Sequence, residues 1–257
     1  MTPVLSARNL ERSFGAVTAA SDVNIDLAAG ERLCLIGSNG AGKTTFVNMI
    51  TGYLKPTSGR ILLAGEDITA RSPREITRRG VARSFQIPQL CLNLSVLDNM
   101  LTAVNCNLAN SGFLQPARDT VSTQRCHALL ANFGLADHAT RPVRELPGGV
   151  RKLLDIAMAL TGQPRLLLLD EPTSGVSADE KFSTIDTVVR AIESRQDGPP
   201  VTVVFVEHDM DIVRRYASRV AAFYSGRVIA DGPASEVLQD AQVRRYVTGS
   251  AETEARP

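Results

Sequence analysis

The amino-acid sequence predicts an α/β protein: a parallel sheet covered by helices, with an antiparallel β portion and a helical insertion. Two apolar runs, at 166–169 and 201–206, are short and unbroken and have a helical segment between them. Such runs are typical of strands buried on both faces of a parallel sheet. A third run, at 33–36, leads directly into a glycine-rich loop and a helix. The stretch from about 90 to 163 is broken by glycine and proline and has no good strand, which indicates helices.

The other elements follow from turn and cap residues. In chain order we expect β stretches over 1–32, a helix after the glycine-rich loop that stops at Gly52, a hairpin over 59–68, a short helix entered through Ser72 and Pro73, a helix over 177–194, and a hairpin with a short helix over 220–240. Glycine is common just after the end of a helix, and proline is common in its first turn.

Composition excludes several classes of protein. Of 257 residues, 44% are apolar and 21% are charged, and the net charge of +1 gives no global attraction for nucleic acid or anionic lipid. The apolar runs are far shorter than the roughly 20 residues of a membrane-spanning helix, and the N-terminus does not resemble a signal peptide. The four cysteines lack metal-binding spacing, so we expect reduced thiols, with Cys34 buried in a strand.

The segment from Gly37 to Thr44 fits the pattern of a phosphate-binding loop between a strand and a helix. Its glycines let successive backbone N–H groups face an anion, and the helix that begins near Gly42 adds its positive end. Lys43 supplies a charge for the phosphates, and the Thr44 hydroxyl can bind Mg²⁺. The predicted nucleotide contacts are Ser38, Asn39, Gly40, Ala41, Gly42, Lys43, Thr44 and Thr45.

A second motif is the buried run that ends in Asp170 and Glu171. The strand delivers Asp170 to its carboxyl end, where it can hold the Mg²⁺ ion, and Glu171 can polarise the attacking water as general base. An apolar run that ends in two carboxylates is a weak signal alone. With the phosphate loop upstream, it predicts nucleotide hydrolysis.

The order of the phosphate loop, SFQ, a glycine pair before a helix, LLLLDEP and VEHD resembles the ABC ATPase family over roughly residues 4–248. The resemblance implies a P-loop NTPase (RecA-like) core with an antiparallel β subdomain and a helical insertion subdomain. We expect one domain over 1–248, with the core at about 1–87 and 164–248 and the helical subdomain at about 88–163. Residues 249–257 are expected to be a disordered tail.

The resemblance also assigns roles to individual residues. It implies catalytic roles for Glu171, His208 and Gln86, metal ligation by Thr44, Gln86 and Asp170, and nucleotide contacts by Phe14, Pro147, Gly148 and Gly149. His208 matches a histidine that contacts the γ-phosphate, and Gln86 a glutamine that senses Mg²⁺ and the membrane partner. Phe14 either stacks on adenine or packs within the β portion. The arginines from Arg71 to Arg83 are expected to form a solvated face.

Three residues depart from the family pattern. Pro147 stands where the signature has serine, Val150 where it has glutamine, and Ser177 where the next loop has aspartate. Because proline has neither a hydroxyl nor an N–H, we expect a weakened but working signature. The helix after it is expected to open at about Arg151, with Arg151 or Lys152 lending charge there.

The resemblance implies a dimer, of identical or different chains, that encloses two ATP molecules with Mg²⁺. Its partners would be a second ATPase subunit, membrane permease subunits and, indirectly, a substrate-binding protein, at the cytoplasmic face of the inner membrane; no nucleic acid is expected. The chain looks most like the ATPases of branched-chain amino acid importers, then those of urea or short-chain amide importers, then lipopolysaccharide exporters. A soluble ABC ATPase without a transporter, or a weakly hydrolysing regulator, is the alternative from a different class.

Overall fold

A computed structural model describes residues 2–107, 119–195 and 198–249. The described residues form ten strands: β1 (Leu5–Phe14), β2 (Val17–Leu27), β3 (Arg32–Ile36), β4 (Ser58–Leu63), β5 (Glu66–Asp67), β6 (Val81–Ser84), β7 (Leu166–Asp170), β8 (Thr202–Val206), β9 (Arg219–Tyr224) and β10 (Arg227–Pro233). The same residues form nine α-helices: α1 (Lys43–Ile50), α2 (Pro73–Arg78), α3 (Val96–Asn107), α4 (Thr120–Asn132), α5 (Gly148–Leu160), α6 (Lys181–Glu193), α7 (Met210–Tyr216), α8 (Ala234–Val237) and α9 (Ala241–Val243). They divide into two compact units, one built from the chain up to Pro73 and from Thr202 onward, the other from Arg74 to Val201.

The first unit contains a parallel and an antiparallel sheet. Strand β3 pairs in parallel with β8 on one side and β9 on the other, and β9 pairs antiparallel with β10. Leu33 to Ile36 of β3 are fully buried, as an apolar run between two neighbouring strands requires. In the antiparallel sheet, β1 lies between β2 and β4, and β4 forms a hairpin with β5. The predicted parallel strands and both predicted hairpins are therefore confirmed.

The second unit combines two strands with the longer helices. Strands β6 and β7 pair in parallel, with Val81 opposite Leu166 and Ser84 opposite Leu169. All five residues of β7 are buried. Helix α5 packs against α3, α4, α6 and β6, so it is the central helix of this unit.

Three sequence-based expectations concern where a subdomain, a helix and the C-terminal tail begin and end. The described part of 88–163 contains α3, α4 and α5 and no named strand; its assignment as a separate subdomain stays a prediction. Helix α5 begins at Gly148 and not at about Arg151, because proline can stand immediately before a helix and the two glycines after it take helical conformations. Of the expected tail, residues 250–257 lie outside the described residues.

The four cysteines are free thiols, and Cys34 is buried in β3 as predicted. Burial raises the pKa of the Cys34 thiol well above its ordinary value, and the nearby carboxylate of Glu207 adds to that effect. In the described ranges, no helix is both long enough and apolar enough to cross a membrane.

Candidate functional site

The phosphate loop lies between β3 and α1 in the first unit, and its shape requires glycine at two positions. Gly37 has a φ of 152° and Gly42 a φ of 108°. A Cβ at Gly37 would lie 2.5 Å from the carbonyl oxygen of Phe223, and one at Gly42 would lie 2.7 Å from that of Ala19. Because side chains do not approach backbone oxygens so closely, both positions exclude any larger residue.

Lys43 fixes the loop from the inside. Its ammonium donates to the carbonyl oxygens of Gly37 at 2.6 Å and Ser38 at 3.0 Å, and the residue is buried. The positive charge is therefore already in the loop, next to the first N–H groups of α1. A glycine-rich turn, a helix N-terminus and a lysine together fit a phosphate group.

The other predicted nucleotide contacts of the first unit differ in exposure. Ser38, Asn39, Gly40 and Thr44 are exposed, Thr45 is half-buried, and Ala41 and Gly42 are buried. The backbone N–H of Gly226 donates to the carbonyl of Ala41 at 2.9 Å, which ties the loop to the turn between β9 and β10. The exposed positions carry the hydroxyl and amide groups that a ligand could reach.

Phe14 ends β1 at the surface. It is 49% exposed, and the guanidinium of Arg12 lies over its ring, 4.5 Å from the centroid. Arg12 also donates to the carbonyl of Lys55 at 2.9 Å. Phe14 therefore does not fill a buried core, and an exposed aromatic ring offers a face on which a base can stack. Stacking on adenine stays a prediction.

His208 follows β8 and is exposed. Its backbone N–H donates a hydrogen bond to Oε2 of the buried Glu207 at 3.2 Å. Asp209 then begins α7 by accepting from the N–H of Asp211 at 3.1 Å. The cap holds the chain just after His208.

In the second unit, β7 delivers Asp170 to its carboxyl end, and an arginine lies against it. Nη2 of Arg83 is 2.6 Å from Oδ2 of Asp170, with the two side chains 8% and 11% exposed. The guanidinium also lies over the ring of Phe85, 4.8 Å from its centroid. The expectation of a solvated arginine face is therefore wrong at Arg83, because β6 brings this side chain to a buried carboxylate.

Glu171 and Gln86 are in direct contact. Nε2 of Gln86 donates to Oε2 of Glu171 at 2.6 Å. Glu171 has a φ of 46°, in the left-handed region that non-glycine residues rarely adopt. Such strain is concentrated at functional sites, because only a supporting structure can maintain it. The contact brings together two of the three predicted catalytic residues.

Helix α5 holds the backbone on both sides of Gln86. The buried ammonium of Lys152 donates to the carbonyl oxygens of Phe85 at 2.7 Å, Gln86 at 3.3 Å and Asp170 at 3.1 Å. Lys152 thus binds carbonyl oxygens within its own unit. Its expected role in lending charge at the helix end is wrong.

Asp155, one turn further along α5, binds the same loop from its other side. Its carboxylate accepts from the hydroxyl of Ser84 at 2.6 Å and from the N–H groups of Phe85 and Gln89, each at 3.2 Å. Burial raises the pKa of Asp155, and the hydrogen bond from Ser84 partly opposes that effect. One helix therefore fixes the start and the end of the segment that carries Gln86.

The signature residues lie at the beginning of α5. Pro147 occupies the cap position, with a φ of −58° and a ψ of 158°. A Cβ at Gly148 would lie 3.4 Å from the carbonyl of Gly175, whereas one at Gly149 would meet nothing within 4 Å. In the loop after β7, which contains Gly175, the hydroxyl of Ser177 donates to the carboxylate of Glu180 at 2.9 Å. The glycine pair and that loop are therefore neighbours.

The residues predicted as metal ligands fit Mg²⁺, which prefers hard oxygen ligands. Asp170 offers a carboxylate, Thr44 an exposed hydroxyl and Gln86 an exposed amide. Across the described ranges, no cluster of three or more His, Cys, Asp or Glu side chains could hold a metal ion.

Each unit brings together its own predicted residues: Lys43 with its loop in the first, and Gln86, Asp170 and Glu171 in the second. Sequence reasoning missed the structural roles of Arg83, Lys152 and Asp155. The available signal was that Lys152 and Asp155 lie three apart on one helix and so share a face, although this spacing does not reveal their partners.

A glycine-rich loop between a parallel strand and a helix, with an aspartate at the end of a buried strand, defines a P-loop NTPase. Comparisons with known proteins identify the class more narrowly. The ABC transporter family pattern matches residues 20–174. The high-affinity branched-chain amino acid transport ATP-binding protein LivG of Escherichia coli K12 is 32% identical over 97% of this chain and 99% of its own length.

Other relatives give the same result. The probable LivG of Archaeoglobus fulgidus is 32% identical over 98% of this chain and 97% of its own length. An ATP-binding cassette of an ABC transporter, solved in its ADP conformation, matches with a TM-score of 0.83 and 29% identity, over 95% of this chain and 98% of that one. The chain belongs to the ABC transporter family, as one of its ATP-binding cassettes, and is an ATPase of that class.

Proposed function

We propose that this ATPase hydrolyses MgATP to power the import of branched-chain amino acids through membrane permease subunits. The identity of about one third to LivG proteins named for that transport, over nearly the full length of both chains, supports this substrate class. Permeases that import urea or short-chain amides, or export lipopolysaccharide, are the alternatives among transporters.

The observation that carries the nucleotide chemistry is the preformed phosphate loop with the Lys43 ammonium inside it. Residues 38–45 bind the β- and γ-phosphates, and Phe14 stacks on adenine. Thr44, Gln86 and Asp170 hold Mg²⁺, which supplies charge neutralisation on the phosphate oxygens. Glu171 accepts a proton from the attacking water, Gln86 orients Glu171, and His208 donates to the γ-phosphate.

A second ATPase subunit completes the site. In this proposal Gly148 and Gly149, with Pro147 before them, face the phosphate loop of the other subunit and donate to the γ-phosphate. Two identical chains would meet through a two-fold axis and enclose two ATP molecules. Loss of the γ-phosphate then removes the contact that holds the halves together.

The permease contact is proposed at the segment that follows Gln86. Ile87, Leu92 and Leu94 are 73%, 48% and 41% exposed, so three apolar side chains lie at the surface within eight residues of Gln86. Through this contact the chain would lie at the cytoplasmic face of the inner membrane and act, through the permease, with a substrate-binding protein.

Glu171→Gln tests the proposed function. The amide keeps the size of the side chain but cannot accept the proton, so we expect ATP turnover to fall about a hundredfold or more. Bound ATP should accumulate in a dimer, measured by light scattering with the permease present and absent. Glu236→Gln, on the short helix α8, is the matched control and should behave as wild type. Wild-type turnover in the Glu171 variant, or no dimer in ATP under either condition, contradicts the proposal.

A further inference from the structure

We propose that Arg83 is a built-in counter-ion that weakens metal binding at Asp170, so that Mg²⁺ is retained only together with the nucleotide. The inference rests on the proposed role of Asp170 as a metal ligand. It adds a residue that controls when the metal binds.

The contact between Arg83 and Asp170 is buried and direct. Strands β6 and β7 run in parallel, with Arg83 opposite Leu168, so the long arginine side chain reaches forward to the strand end at Asp170. Nη2 lies 2.6 Å from Oδ2, and neither side chain is more than 11% exposed. Water screens such a pair only weakly, so its electrostatic effect exceeds that of a surface ion pair.

The surroundings fix the arginine in this position. Its guanidinium lies over the ring of Phe85, at 4.8 Å from the centroid. Lys152, a buried cation of the same unit, donates to the backbone carbonyl of Asp170 at 3.1 Å. Arg83 therefore opposes the carboxylate charge directly, through the ion pair with Oδ2.

A carboxylate with a counter-ion is a poorer metal ligand than one without. Mg²⁺ loses its hydration water reluctantly and is held by one or two carboxylates plus substrate phosphates. With Arg83 against Oδ2, Asp170 alone should not hold the ion, whereas nucleotide phosphates add the charge that is missing. The pair thus makes metal retention conditional on nucleotide.

The test is a titration of the purified full-length chain with Mn²⁺ as a paramagnetic stand-in for Mg²⁺, followed by electron paramagnetic resonance, without nucleotide and with ADP. Arg83→Met and Arg83→Gln remove the charge, and Arg83→Lys keeps it. Arg78→Met, on the exposed end of α2, is the matched control. We expect Mn²⁺ affinity without nucleotide to rise about tenfold in the two neutral variants, equivalent to ~1.4 kcal/mol, and to stay at the wild-type value in Arg83→Lys and Arg78→Met.

Unchanged or weaker Mn²⁺ binding in folded Arg83→Met and Arg83→Gln overturns the proposal and would mean that Arg83 orients Asp170 for the metal. Phe85→Leu, which removes the ring beneath the guanidinium but keeps every charge, should raise the affinity in the same direction by a smaller factor. If circular dichroism shows Arg83→Met and Arg83→Gln to be unfolded, Phe85→Leu tests the proposal in their place. Unchanged Mn²⁺ affinity in Phe85→Leu also overturns the proposal.

Asp170→Asn distinguishes the proposed role of Asp170 as a metal ligand from the proposed role of Arg83 as its counter-ion. It should abolish the gain of Arg83→Met in the double variant and weaken Mn²⁺ binding with ADP. If Asp170→Asn leaves Mn²⁺ binding with ADP unchanged, Asp170 is not a metal ligand, and the proposed function and this inference both fail at that point. If Asp170→Asn weakens binding while the Arg83 variants do not strengthen it, only the role of Arg83 fails.

Discussion

At the scale of single residues, Lys43 shows how a buried charge is tolerated before any ligand binds. Its ammonium is hydrogen-bonded to two carbonyl oxygens of the loop, at 2.6 and 3.0 Å. These bonds offset part of the cost of burying an ammonium group. A phosphate then meets a charge that is already in place, and little ordering entropy is lost on binding.

Lys43→Ala should therefore weaken ATP binding more than it weakens folding. A hydrogen bond to a charged group contributes ~1.5–3 kcal/mol, so we expect affinity to fall about ten- to a hundredfold. Calorimetric titration with ATP and Mg²⁺ measures this, with Lys55→Ala, on an exposed loop, as control. An unchanged ATP affinity and turnover would disprove the phosphate-loop assignment.

Pro147 is a second residue whose effect is local. It caps α5 without a side-chain hydrogen bond, whereas serine at this position could bond to an N–H of the first turn. Proline also lacks the hydroxyl and the N–H that could reach a γ-phosphate across the dimer. The expected consequence is slow basal hydrolysis.

Pro147→Ser combined with Val150→Gln should raise basal ATP turnover about tenfold or more, because restored hydrogen bonds lower the barrier by ~1.5–3 kcal/mol. ATP affinity of the isolated subunit should change little, since these groups would contact a nucleotide only across the dimer. Steady-state hydrolysis and ATP titration measure the two effects. A double variant that is no faster would show that the loop works best with proline.

At the scale of elements, α5 connects the signature to the loop that carries Gln86. Lys152 and Asp155 lie on one face of the helix and bind the carbonyl and N–H groups of residues 85–89. A displacement of α5 would therefore carry Gln86 with it. The helix is thus a structural link between two parts of the proposed reaction.

Asp155 gives this link a dependence on pH. Because burial raises the pKa of its carboxyl in the folded protein, the folded state holds this proton at pH values where the unfolded state has lost it. Its contribution to stability therefore decreases as pH rises from about 3.9, the ordinary value, through the raised folded pKa. Below the ordinary value, this cost is absent.

Asp155→Asn cannot titrate, so we expect the free energy of unfolding of the wild type, relative to this variant, to fall as pH rises across that window. Urea unfolding of both proteins between about pH 4 and 8 measures the difference, which we expect to be on the order of 1 kcal/mol per unit of pKa shift. Asp137→Asn, at an exposed position, is the control. A difference that is constant or rises with pH contradicts the assignment.

At the scale of the whole molecule, the exposed apolar side chains after Gln86 indicate a partner. Leu92 and Leu94 lie in the segment before α3, and Ile87 lies next to Gln86. Several exposed apolar side chains within one short segment favour a surface that another protein covers. The proposed permease contact uses this segment and connects it to the catalytic loop.

Leu92→Asp should therefore separate transport from hydrolysis. We expect the variant to lose co-purification with the permease subunits, because one buried charge in an interface costs ~2–5 kcal/mol. The isolated chain should keep its ATP turnover within about twofold. Val121→Asp is the matched control, since Val121 is 74% exposed and belongs to α4, not to this segment. Retention of the permease by Leu92→Asp would place the contact elsewhere.

Much of the fold and part of the site could be predicted because they depend on local sequence. Buried strands such as β3 and β7 are unbroken apolar runs, and the phosphate loop needs glycines at fixed places between a strand and a helix. Each of these features is encoded within about ten residues. The sequence by itself therefore determined the class of protein, the phosphate loop and the position of Asp170 and Glu171.

Only the tertiary structure decided how the polar side chains of the second unit are paired. Arg83 and Asp170 are 87 residues apart in the chain, and Lys152 and Phe85 are 67 apart. No local pattern specifies such pairs, because they depend on the register of β6 against β7 and on which face of α5 turns toward the loop. An arginine that sequence spacing places on a solvated face becomes a buried counter-ion when a parallel strand delivers a carboxylate beside it.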